Sequence, residues 1–162
     1  MFTLHGRWIV VVGLIGLGAW VGPLFAADRH VGYYYPPPLS SERYEGRVQT
    51  IPETNRRRRI GFITQLMNQM MESPYPPEFA MFAKGADAEK LIITSLRAGS
   101  LDTIYRMRGL LAILTARARV TPIFRQYELE DVLTYLDLLK MLGFTQLTVT
   151  DGDRFAHQFH ID

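Results

Sequence analysis

The distribution of apolar and polar positions divides the chain into three regimes. Trp8 to Ala27 is an uncharged, mostly apolar run. Asp28 to about Thr54 is punctuated by Tyr, Pro, Ser and Gly and shows no period. After Thr54 regular periods set in, and they predict elements in the order αββααββ.

Ile60, Ile63, Met67 and Met70 recur at helical spacing with Leu66 alongside. They predict a helix from Asn55 to Met71, capped by Thr54 or Asn55 and ended by Pro74, Pro76 and Pro77. Glu78–Ala83 and Lys90–Leu96 read as the strands of a hairpin. Ser100 or Asp102 caps a second helix to about Arg119, with Leu101, Ile104, Tyr105, Leu111, Leu114 and Ala118 along its apolar side. Thr121-Pro122 opens a helical turn carrying Ile123, Phe124 and Tyr127. A third helix runs from about Leu129 to Leu142 on a stripe of Leu129, Val132, Leu133, Leu136 and Leu139. Gly143 is its C-cap, with Phe144 packing behind.

At the C-terminus Asp151-Gly152 predicts a type I′ turn between two alternating strands. Leu147 and Val149 share one face, and Phe155, His157, Phe159 and Ile161 share a face of the partner strand. Two hairpins and three main helices imply a single small α+β domain. Its sheet is expected to be mostly antiparallel, with helices on one face.

The opening run contains Gly16, Gly18 and Gly22, which suggests a dinucleotide loop. Such a loop needs a helix after its glycines. Here Gly22-Pro23 and the polar Asp28-Arg29-His30 follow, without a crossover helix. The same features fit an export segment: a weakly basic start at His5 and Arg7, an apolar stretch, a helix break, and Ala26-Ala27 near a cut. Uncut, residues 8–27 are just long enough to span a bilayer. The expected organisation is a signal peptide or N-terminal membrane anchor over 1–27, an extended Tyr/Pro-rich arm over 28–53 and the α+β domain over 54–162. The domain is then periplasmic, either free after cleavage or anchored to the inner membrane, with membrane contact through residues 8–27 if uncleaved.

Composition narrows the chemistry. The chain has no cysteine, which excludes thiolate catalysis and Cys-ligated metals. A net charge of +2 is too small to point to nucleic acid. The charge is nevertheless uneven. Asp28–Arg119 has 14 basic and 9 acidic residues, net +5, and Val120–Asp162 has 3 and 7, net −4. That polarity serves either docking on a charged partner or pairing between the two halves.

Arg56, Arg57, Arg58 and Arg59 form the strongest charge run. They are either a solvated first turn or an anion- or partner-binding cluster. Tyr33, Tyr34 and Tyr35, beside three consecutive prolines, are either a packed-down arm or a docking segment. Phe155, His157 and Phe159 form a core face or a docking face, with His157 partly buried. His157 and His160 fall on opposite strand faces and make a poor metal pair. Ser40 and Ser41 read as turn residues. No nucleophile–base set, nucleophile elbow, zinc motif or phosphate loop is legible, so no catalytic residue, metal or cofactor is predicted.

"YYYP", "RRRIGFIT", "PYPPEFAMFAKGADAEKLIITSL", "LLAILTARARVTPIFRQY" and "DLLKMLGFTQLTVTDGDRFAHQ" cover most of residues 33–158. In these segments the chain resembles a group of small exported alphaproteobacterial proteins. Many of them bear the name molybdopterin-guanine dinucleotide biosynthesis protein A. The name implies a nucleotidyltransferase, whose Gly-rich, Arg/Lys-containing loop matches no position here, so the resemblance carries over no catalytic residue.

The function expected from these features is an exported, non-enzymatic protein-interaction domain, an accessory subunit of a membrane-associated assembly with an unidentified protein partner. The alternative is an anion- or small-ligand-binding protein, or an enzyme, that uses the arginine cluster. A third expectation is the nucleotidyltransferase of the name.

Overall fold

The computed structural model describes residues 35–120, 122 and 134–162. The apolar run, Tyr33, Tyr34, most of the predicted turn after Thr121, and Leu129–Leu133 lie outside them. The elements are β1 (Ser40–Tyr44), α1 (Arg56–Met71), β2 (Phe79–Lys84), β3 (Lys90–Ser95), α2 (Ile104–Arg119), α3 (Tyr135–Met141), β4 (Gln146–Thr150) and β5 (Ala156–Ile161). After residue 54 this is the predicted order, and the class is α+β.

Two features differ from the sequence expectation. The sheet is mixed, in the order β1-β5-β4-β3-β2. The hairpins β2–β3 and β4–β5 are antiparallel, while β3–β4 and β1–β5 pair in parallel. A strand that leaves through a helix and returns beside itself runs parallel, and α2 and α3 supply that crossover between β3 and β4. In addition, the arm contributes β1, a polar edge strand (Ser-Ser-Glu-Arg-Tyr) that carries no hydrophobic alternation to announce it.

Local chemistry sets the helix ends. The Asn55 side chain accepts from Arg58 N–H at 2.9 Å and starts α1. Thr103, one residue past the expected Asp102, caps α2. Thr134 is extended and forms a capping box with Asp137, so α3 starts at Tyr135 rather than continuing from Leu129. Gly143 ends α3 at φ +76°. Gly143 N–H donates to the Lys140 carbonyl and Phe144 N–H to the Leu139 carbonyl, both at 2.9 Å, which is a Schellman motif.

The C-terminal hairpin pairs Thr150 with Ala156, leaving Asp151–Phe155 as its loop. The predicted type I′ turn does not form, because Gly152 has positive φ and Asp151 does not. Instead the Asp151 carboxylate accepts from the N–H groups of Asp153, Arg154 and Phe155, each at 2.9 Å. An Asx-type loop has displaced the two-residue turn.

The described helices pack on one face of the sheet. Leu91, Ile93, Leu147, Val149, Phe159 and Ile161 point into a core shared with Met107, Leu114, Leu138, Leu139 and Phe144. The other face carries Ile92, Thr94, Thr148, Thr150 and Ala156, also buried. Here Lys84 Nζ of β2 lies 5.7 Å from the Tyr35 ring centroid, and Leu39 N–H donates to the Ala156 carbonyl of β5 at 3.0 Å. Pro36–Pro38 therefore lead across this face from one edge strand to β5. The stiffness of consecutive prolines suits them to a strap.

Candidate functional site

Parallel pairing of β1 with β5 sets Ser40 opposite His157 and Glu42 opposite Phe159. Residues 40 and 42 share the helix-facing side of the strand by its two-residue period. His157 is 3% exposed, its ring edge-on to Phe159 with centroids 4.6 Å apart. His157 Nδ1 lies 2.7 Å from Ser40 Oγ, and Nε2 lies 3.1 Å from Glu42 Oε1. The other Glu42 oxygen accepts from Arg108 Nη2 of α2 at 3.1 Å. A carboxylate only accepts, so Nε2 carries the proton. In the neutral ring Nδ1 is then an acceptor for the Ser40 hydroxyl.

The arrangement joins a hydroxyl, an imidazole and a carboxylate in succession, with Ser40 exposed and His157 buried. The sequence reading found no nucleophile–base set, because its members lie 115 and 117 residues apart. It gave Ser40 to a turn for want of any sign of β1. No local signal was available, because Ser-Ser-Glu-Arg-Tyr shows no apolar alternation. His157 itself is where the sequence placed it, on the core-facing side of β5.

The arginine run does not act as one patch. A helix turns each successive residue by about 100°. Arg59 faces inward and is buried, while Arg56 and Arg57 stand exposed. Arg59 Nε and Nη2 donate to the Asp87 carbonyl at 2.9 and 2.8 Å. Its Nη1 donates to the carbonyls of Leu142 and Gly143 at 3.4 and 3.3 Å. Arg58 stands 4.0 Å from Glu53. Phe155 is half-buried against the core and Phe159 is buried within it, so this face of the C-terminal hairpin covers the core.

Two clefts open on the surface. One, of about 430 Å³, is lined by Thr50, Thr54, Arg59, Lys140 and Thr145 among others. The other, of about 360 Å³, lies between β2 and α2 and is lined by Phe79, Leu101, Arg106, Gly109, Leu110 and Ile113 among others. Beside it α2 exposes Tyr105 (81%) and Ile113 (52%), and its C-cap residue Val120 is 68% exposed, an apolar ridge with Gly109, Ala112 and Ala116 between them. A Cβ on Gly109 would meet nothing within 4 Å.

Among the described residues no group of acidic or His side chains could hold a metal ion, and no helix is long and apolar enough to cross a membrane. Comparison with protein-family models, with curated proteins and with solved structures finds no match.

Proposed function

We propose that this chain is an exported interaction domain that docks onto an apolar helix of a membrane-associated protein partner. The outer side of α2 carries the reading. Large apolar side chains are left in water there, at Tyr105 and Ile113, and Ile113 also lines the cleft beside Phe79, Leu101 and Leu110. Contiguous exposed apolar surface of this kind marks interaction sites. The small residues Gly109, Ala112 and Ala116 let a second helix approach closely, and Tyr105 offers an anchor with a polar tip. Arg117, on the same exposed side, favours a partner helix with acidic flanks. Export rests on the uncharged run over residues 8–27.

The test is site-specific photocrosslinking in whole cells. A crosslinker at Ile113 is expected to trap one protein, recovered with the membranes, that the same crosslinker at Asp153 does not trap. Equal trapping at the two positions, or none at Ile113, removes the reading. A reporter fused after residue 30 and silent in the periplasm removes the export part.

A second reading is favoured by the 430 Å³ cleft. Among the described residues two cations and three threonines line it, and no carboxylate does. That lining suits a small anion. A rise in Tm with phosphate that disappears in Lys140→Ala would support it, and an unchanged Tm would end it.

A further inference from the structure

We propose that Ser40 is an activated nucleophile, with His157 as its base, and that it accepts acyl groups from esters. The docking role of α2 needs no such chemistry, so the two proposals stand separately.

Three observations carry it. First, Ser40 Oγ and His157 Nδ1 are at 2.7 Å, the contact a general base needs. Second, the ring is held from behind. Glu42 accepts from Nε2, Phe159 packs edge-on, and Arg108 holds Glu42. This is the nucleophile, base and orienting acid of a hydrolytic triad, with the two ring nitrogens exchanged in role. Glu42 and Arg108 are positioning residues. Third, among the described strands β1 has a neighbour on one side only. The Tyr44 carbonyl accepts from Asp162 N–H, so by strand alternation the main-chain groups of Ser40, Glu42 and Tyr44 face β5 and Ser41 N–H points out from the sheet edge. It is a donor beside Ser40 Oγ for the oxyanion of an acyl-transfer intermediate. The same open edge can pair with an extended acyl chain that bears amide groups, which names the substrate class as peptidyl or N-acyl-aminoacyl esters.

The step balances without a further co-reactant. Ser40 Oγ attacks the ester carbonyl carbon, and its proton passes to His157 Nδ1. The tetrahedral intermediate breaks the bond to the alkoxide, which leaves as the alcohol with the proton from Nδ1. Water then attacks the acyl-serine by the same proton route, releasing the acid and restoring Ser40. Nε2–H remains on Glu42 throughout.

Ser41 supplies an internal control. It is the next residue, also exposed, and lies on the opposite face of the strand from His157. The full chain is treated with a fluorophosphonate, and the adduct is located by fragmentation mass spectrometry. The expected result is labelling of Ser40 and not Ser41, together with hydrolysis of an N-acetyl-alanine p-nitrophenyl ester. Both rates should fall about 100-fold in His157→Gln, with hydrolysis lost in Ser40→Ala. No adduct, equal labelling of both serines, or a rate unchanged by His157→Gln in a folded variant overturns the proposal. The comparison of the two serines is made within the natural chain and needs no variant to fold.

Discussion

Arg59 on α1 and Gly143 at the end of α3 are joined by a 3.3 Å hydrogen bond from the guanidinium Nη1 to the glycine carbonyl. The same guanidinium reaches the carbonyls of Leu142 and Asp87. A buried charge is tolerated only with such partners. Here they are backbone oxygens, those of α3 left over by the helix end.

Removing the guanidinium leaves those carbonyls without this donor. Arg59→Leu is expected to destabilise the domain by about 2 kcal/mol or more. Arg59→Lys should recover only part of the loss, because one ammonium cannot replace a planar fork. Urea midpoints of the three proteins decide it, and a Lys variant equal to the natural chain would show that charge alone matters.

Gly143 is fixed by its surroundings as well as by its own φ. A Cβ there would lie 2.4 Å from Thr54 Cγ2 and 2.8 Å from Arg59 Nη1. Gly143→Val combines that clash with a left-handed backbone that a β-branched residue disfavours, at a cost of about 2 kcal/mol or more. Chemical denaturation measures it. A neutral substitution would mean that α3 can end in another conformation.

Asp137 makes stability depend on pH. Burial alone would raise its carboxyl pKa, but hydrogen bonds from Thr134, Arg47 and Tyr44 outweigh it and hold the value below the ordinary range. A depressed folded pKa gives stability that is present above the unfolded value, about 4, and is lost as pH falls through the folded one. Asp137→Asn should therefore lower Tm clearly at neutral pH and progressively less in acid. Melts across this range check the sign, and a gap that stays constant would remove the carboxylate from the account.

Tyr135 is 2% exposed, and its hydroxyl has no hydrogen-bond partner among the described residues. Burial pushes its pKa well above the ordinary tyrosine value. An unpaired buried hydroxyl costs more than it returns. Tyr135→Phe keeps the ring and should stabilise the domain by about 1 kcal/mol. A loss of stability on urea unfolding would reveal a role for the oxygen in the fold.

The helices and hairpins were legible because their signals are local. Asn55 caps α1, the stripe of Ile63 and Met67 faces the core, and Gly143 stops α3 where glycine is needed. Thr134 shows the limit of that legibility. Apolar spacing runs on through Val132 and Leu133, while the capping box at Thr134 sets the start of α3 at Tyr135, and there capping chemistry beats period. Parallel pairing was hidden, since Leu91 beside Leu147 leaves no trace in either segment alone. The same holds for the Ser40–His157 contact, whose polar edge strand resembles any serine-rich loop. The arginine run was legible as charge but not as geometry, because only the position of α3 shows that Arg59 turns inward.

The pairing of β1 with β5 also has a temporal side. β1 is the first described strand to leave the ribosome, and among the described strands its one partner is the last of them, β5. Until Ile161 has been synthesised, β1 lacks its partner β5, and closing so long a loop delays its docking further. The β1 edge of the sheet is thus assembled only once β5 has emerged, and a chain cut before that strand would leave β1 without β5 to pair with.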